Sequence, residues 1–290
     1  MTRIATLLLV LAFIGTSCAQ KNDYLITFKT PYGDMVAILY DETPKHKENF
    51  IKLAKEHYYD STLFHRVIQG FMIQGGDPNS KKAVQGQRIG SGGPSYTIPA
   101  EFNSKYYHEK GALSAARMGD QQNPEKASNG SQFYIVQGTV LKPEEAENLR
   151  YDQMKLMTGL RQMFEKPEYK GLLDSLNQLY YSGDIVAYQK KLFELAPRVE
   201  KATGTKVTRD IPSERIKAYT TIGGAPHLDG EYTVFGKVIK GLDVIDKIAA
   251  VEKDAADRPL QDVRMTVTVT EMSRKKISKE YGYTYPETKK

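Results

Sequence analysis

The densest chemistry in the chain lies in Phe64-His65-Arg66-Val67-Ile68-Gln69-Gly70-Phe71-Met72-Ile73-Gln74-Gly75-Gly76-Asp77, where apolar residues alternate with Arg, Gln and His that a plain core strand would not choose. Other site chemistries fail on spacing. His46, His57, His65, His108 and His227 contain no close ligand pair and the one cysteine is Cys18, so no metal site is expected. Gly230 to Lys237 evokes a phosphate loop, but five residues separate its glycines where four are needed, and Val238 stands where Ser or Thr would hold magnesium. Ser91 and Ser131 lack a nucleophile elbow. Asn129-Gly130-Ser131 is formally a glycosylation sequon.

These residues need a scaffold. Tyr24 to Lys29 and Met35 to Tyr40 read as a hairpin about Thr30-Pro31-Tyr32-Gly33-Asp34. A helix should follow, with Thr43 as N-cap, Pro44 at its first position, and Phe50, Leu53, Ala54 and His57 on one face. Short β-like runs come at Thr62–Ile68, Phe71–Gln74, Leu113–Ala116, Ser131–Val136 and Tyr232–Val238; a helix over Leu242–Ala250 and an alternating strand Val263-Met265-Val267-Val269 complete the series. Many short strands with two helices predict a closed antiparallel barrel plugged at its ends. From about Thr139 to Gly224 the period changes to 3.6, and three helices are expected there. Their apolar stripes are Leu149, Leu156, Leu160 and Met163; Leu172, Leu176 and Leu179; and Ile185, Tyr188, Leu192 and Leu195, with Pro167, Gly183 and Pro197 at the breaks.

The run 64–77 resembles the signature of the cyclophilin-type peptidyl-prolyl isomerases almost residue for residue. Gly111-Ala112-Leu113-Ser114-Ala115-Ala116-Arg117 with Asn129-Gly130-Ser131-Gln132-Phe133-Tyr134-Ile135, and Leu228-Asp229-Gly230 with Val234-Phe235-Gly236-Lys237-Val238, are similar to the family in the same order. The resemblance implies a mainly β fold: an eight-stranded cyclophilin-like barrel capped by two helices, formed by residues 23–138 and 225–272, with a helical insertion of 86 residues over 139–224. An insertion that folds on itself keeps its ends together, and loop closure costs grow only logarithmically.

The implied reaction is rotation about an X–Pro bond, whose barrier of about 18–20 kcal/mol comes from amide resonance. No bond is broken, so the site needs only to bind the twisted amide better than either planar form. The twisted nitrogen is pyramidal and accepts a hydrogen bond, which favours a fixed cationic donor beside it. By resemblance Arg66 is that catalytic residue, permanently charged and planar. Gln74 and Gln132 orient it and the substrate backbone; Phe71, Met72, Tyr134 and Leu228 hold the proline ring; Ala116 and Arg117 line the strip along which substrate lies; Gly90 lines the neighbouring groove. The chain departs from the family at His227, where many members carry Trp, at Tyr232 where His is common, at Tyr134 where Phe is usual, and at Arg117 where Asn is frequent. The altered rim implies weak cyclosporin sensitivity. No cofactor is implied, and the substrates are proline-containing polypeptides.

Arg3 followed by an apolar run of eleven residues, Ile4 to Ile14, and the small residues Gly15, Thr16 and Ser17 reads as an export signal over 1–17, too short to span a bilayer. Cys18 directly after it resembles a lipoprotein acylation site, although Gly15 replaces the usual Leu-like residue; 18–22 would be a tether and the protein an anchored lipoprotein of the bacterial cell envelope. The net charge of +6 is concentrated at the end: 273–290 carries six basic and two acidic residues, and is expected to be a solvated basic tail. The body is nearly neutral, so nucleic acid is not an expected partner. The rival to catalysis is an envelope-anchored chaperone or peptide-binding module, with the insertion docking an envelope partner.

Overall fold

The computed structural model describes residues 21–286. Eight strands close into an antiparallel barrel: β1 (Asn22–Thr30), β2 (Gly33–Leu39), β3 (Thr62–Ile68), β4 (Met72–Gly75), β6 (Ala112–Ala115), β8 (Phe133–Val136), β9 (Val234–Lys240) and β10 (Arg264–Ser273), joined in the order β1-β10-β3-β4-β8-β6-β9-β2. The short strands β5 (Thr97–Ile98) and β7 (Ser128–Asn129) pair outside it. Closure removes every edge from the main sheet. Alternate side chains fill the interior: Ile26 and Phe28, Met35, Ala37 and Leu39, Val67, Ile73, Leu113, Ile135 and Val267. One end is plugged by Phe50, Ile51, Leu53 and Ala54 of α1 (Pro44–Lys55), with the Phe133 ring 5.5 Å edge-on to Phe50. The other is plugged by Val244, Ile245, Ile248 and Ala249 of the helix Leu242–Ala249.

Two helix details differ from the sequence reading. Thr43 precedes α1 but its hydroxyl donates back to Tyr40 O instead of capping. His57 lies beyond the helix in the left-handed region, φ 57°, so it is not on the buried face.

The segment expected as an insertion, 139–224, holds six helices, not three: α2 (Pro143–Asn148), α3 (Gln153–Phe164), α4 (Lys170–Tyr181), α5 (Ile185–Glu194), α6 (Ala196–Thr203) and α7 (Ser213–Thr221). Leu149 ends α2 and does not join the α3 stripe. Pro197 stands in the first turn of α6, where a missing N–H costs nothing, so it starts a helix instead of breaking one. Leu156, Leu160 and Met163 pack with Leu176, Leu192, Leu195 and Val199 into a core separate from the barrel's, whereas Ile185 is exposed. The insertion leaves and re-enters the barrel at one point: Thr139 N–H donates to Gly224 O (3.2 Å) and Gly224 N–H to Thr139 O (3.0 Å). Backbones approach so closely that a Cβ on Gly138 would stand 2.3 Å from Gly224 Cα.

The C-terminal segment is not a free tail. After the barrel helix, which is α8, α9 (Arg274–Tyr281) folds back with Ile277 wholly buried against Leu25, Val36 and Ile38. Arg274 pairs with Asp41 and Asp23 and lies 4.4 Å over the Tyr285 ring, while Lys275, Lys276 and Lys279 face solvent. Ile277, with Tyr281, Tyr283 and Tyr285 packed on the same cluster, docks a segment that net charge alone reads as solvated. Cys18 and the segment before it lie outside the described residues.

Candidate active site

The ladder aligns the site. Arg66 on β3 stands opposite Gln74 on β4, Gln74 opposite Tyr134 on β8, Tyr134 opposite Ser114 on β6, and Ser114 opposite Val234 on β9. Directly opposed residues share a face, so these five form one row across the outside of the barrel, while their chain neighbours Val67, Ile73, Ile135 and Leu113 point into the core. The alternation in the 64–77 run is therefore a two-sided strand pattern: one side for packing, the other for the site.

Beside Arg66 the outer face is apolar. Met72, Tyr134 and Leu228 are buried, and Phe71, Ala116 and Tyr232 half-buried, in one cluster. The Tyr232 ring meets Tyr134 edge-on at 5.9 Å, and Phe71 lies 5.4 Å from the His227 ring on the exposed rim. Burial holds the Tyr134 phenol well above its usual pKa, so its hydroxyl keeps its proton. Burial also pushes the rim histidine His227 down.

Gln74 Nε2 donates to Gln132 Oε1 at 3.1 Å, and Gln132 Nε2 donates to the carbonyls of Gly90 (3.0 Å) and Gly92 (2.7 Å). The same loop is held from below by buried Asp77, whose Oδ2 accepts from Gly90 N–H (2.7 Å) and Gly92 N–H (3.0 Å). Gly90 sits at φ +110°, with its Cα facing the His65 ring, a conformation other residues rarely adopt. Thus Gln132 and Gly90 are structurally joined. His65, next to Arg66 in sequence, is buried without a hydrogen-bond partner on either ring nitrogen, and burial pushes it down to about 4.

Arg66 keeps 43% of its side chain exposed, with Nε 3.7 Å from Asp257 Oδ2. Gln74 gives its amide nitrogen to Gln132, and the ion-pair partner of the guanidinium is Asp257, which the sequence reading passed over. Asp257 sits at φ 62° in a turn strapped to β3: Val67 N–H donates to its carbonyl (2.8 Å), and Lys253 Nζ bonds both Asp257 Oδ1 (2.6 Å) and Val67 O (3.2 Å). No sequence signal marks it, since it lies about 190 positions away from Arg66.

Arg117 has a different place from the one expected. Only 4% exposed, it donates through Nε to Glu231 O and through one terminal nitrogen to Met118 O and Asp120, and stacks 4.4 Å over Tyr232. Its charge ties two loops together and is not free to meet a substrate. Also missed were His108 and Asp229, both behind Tyr134: His108 is fully buried, with its ring between Asp229 and Tyr134. Asp229 stands inside the Leu228-Asp229-Gly230 block, which was the available signal. Together the row and cluster place a half-exposed cation beside an apolar surface, an arrangement suited to binding a distorted neutral group.

The profile of the family described as "Cyclophilin type peptidyl-prolyl cis-trans isomerase/CLD" matches residues 25–150 and 205–270, leaving 151–204 outside. A candidate bifunctional phosphatase/peptidyl-prolyl cis-trans isomerase of Streptococcus pyogenes is 33% identical over 244 residues, covering 82% of this chain and 37% of that protein's length. A candidate peptidyl-prolyl cis-trans isomerase of Staphylococcus haemolyticus is 32% identical over 245 residues, covering 84% of this chain and 89% of its own. Among solved structures, a cyclophilin-type isomerase of Cryptosporidium parvum is similar at 20% identity with a TM-score of 0.48, covering 86% of this chain and 98% of the other.

Proposed function

The chain belongs to the cyclophilin-type peptidyl-prolyl cis-trans isomerases, whose substrates are proline-containing polypeptides, and from that premise we propose how it works and where. The proline ring seats on Phe71, Met72, Tyr134 and Leu228, leaving the preceding amide at the guanidinium of Arg66. As the amide twists, its nitrogen regains a lone pair, and Arg66 donates to it; the planar forms offer no such acceptor, so the interaction is selective for the transition state. Asp257 restrains Arg66, and the Gln74–Gln132 pair fixes the substrate-facing strip. The observation that carries this reading is the strand row that sets Arg66 beside the apolar cluster. It is tested by proline-limited refolding with wild type and Arg66→Ala: acceleration by wild type and its loss in the folded variant are expected, and no acceleration by wild type would remove catalysis.

The proposed setting is the bacterial cell envelope, with the signal cleaved before Cys18 and that cysteine acylated, a reading supported by the sequence of residues 1–18. Mass spectrometry of the mature N-terminus should find the lipid on Cys18; an unmodified terminus excludes the anchor. A holding role for unfolded clients is favoured by exposed apolar side chains on the insertion, Met154, Tyr181 and Val186. It would show as suppressed aggregation that survives Arg66→Ala.

A further inference from the structure

The back of the prolyl cluster is wired to α7, a helix of the segment 139–224 that lies within the family-matched residues 205–270. Tyr219 of α7 is wholly buried, and its hydroxyl donates to Asp229 Oδ2 at 2.7 Å. Arg215, one turn earlier on the same helix, holds a terminal nitrogen 3.7 Å from that oxygen. The other oxygen, Oδ1, accepts from the His108 backbone N–H (2.9 Å) and faces ring Nδ1 (3.0 Å). A carboxylate only accepts, so Nδ1 carries the proton; in the neutral ring Nε2 is then the acceptor, 3.0 Å from Tyr134 Oη. The chain Tyr219–Asp229–His108–Tyr134 runs from α7 to prolyl slot, and every group between its ends is bonded on both sides.

We propose that Tyr219 is a positioning residue for Tyr134, so that α7 sets the floor of the prolyl slot. This rests on the slot assigned above. A phenylalanine at 134 would need no such support; a tyrosine brings a hydroxyl beneath the slot, and a buried hydroxyl without a partner is costly. His108 and Asp229 satisfy it, and Tyr219 in turn satisfies the carboxylate. The approach is close: a Cβ on Gly224 would fall 2.5 Å from the Tyr219 ring, and Ala225 N–H holds His108 O at 2.8 Å. In a low-dielectric setting such linked bonds act together, so removing one end loosens the other.

The test is a double-mutant cycle on the full chain, read as kcat/KM for an alanyl-prolyl peptide. Tyr219→Phe, which keeps the ring and deletes only the hydroxyl, should lower kcat/KM about fivefold, the size of one net hydrogen bond. In a Tyr134→Phe background the same change should cost less than about twofold, because the terminus it supports is gone. Equal losses in both backgrounds, or none in the first, overturn the proposal; a purely structural Tyr219 gives equal losses. Arg66→Ala measured alongside reports on the slot itself, so a failed relay and a failed slot are distinguished. An independent reading uses unmodified protein with 15N-labelled histidine: binding of the peptide should shift the His108 ring resonances. Saturation with peptide and no shift at His108 overturns the relay even if Tyr219→Phe does not fold.

Discussion

The barrel and the insertion solve the same problem, burying apolar surface, by opposite means. In the barrel, partners are distant in sequence: β1 pairs with β10, and Asn22 meets Ser273. A closed sheet has one register, and a slip of one residue would carry Arg66, Gln74 and Tyr134 to the inside. The insertion instead packs short neighbouring helices, α3 on α6 and α4 on α5, and leaves Tyr181 and Val186 largely in solvent. Precision therefore belongs to the barrel, where side chains must stand within hydrogen-bond reach of one another, and the insertion touches that precision at the Gly138–Gly224 neck and through α7.

The sharpest way to test this division is Arg66→Ala, which removes a half-exposed side chain and so spares the fold. Isomerase kcat/KM should fall by about 10²–10³-fold, the usual loss of a positioned transition-state donor, with an unchanged thermal transition; a loss under about tenfold would place the chemistry elsewhere. Leu160→Ala probes the other region: a cavity in the α3 core should cost about 3 kcal/mol. Hydrogen exchange should speed up within 139–224 while the barrel strands stay protected; equal loosening of both would show one cooperative unit.

Acid offers a third contrast, because the insertion contains no histidine. His65 is held near 4 in the fold against 6.5 for the free side chain, by burial above all. As pH falls, the unfolded chain takes up a proton first, so the barrel keeps this stability above 6.5, loses it between 6.5 and 4, and loses no more below. That 2.5-unit gap corresponds to ~3 kcal/mol. Denaturant melts followed by barrel and insertion probes should part over that range, and a His65→Gln variant should flatten the barrel's response. The smallest expected effect is at the rim. His227→Trp should tighten cyclosporin inhibition about tenfold, as an added large aromatic contact does, and leave the insertion unaffected; no change would show that the weak-binding expectation rests on another residue.

Much of the site was legible because its residues are local in sequence and their types are demanding. Phe71, Met72 and Gln74 follow Arg66 within one hairpin, and β3, Thr62–Ile68, reads as a short β-like run before Gly70. Arg117 was misplaced because a charge next to a substrate strip looks the same in sequence whether it faces the peptide or binds Glu231 and Asp120. The insertion's helices were undercounted because α2, α6 and α7 are only six to nine residues long, too short for a stripe to stand out.

What the sequence determined alone was the alphabet of the site and the periodicities, two for strands and 3.6 for helices, since both follow from local backbone geometry. What tertiary structure decided was every partner reached across a long gap: Asp257 for Arg66, Ile277 for Leu25, and Tyr219 for Asp229. Such contacts depend on where a closed barrel and a folded insertion bring chain segments together in space, and a hydrogen bond or an apolar contact carries no mark in the sequence of the residue that will complete it.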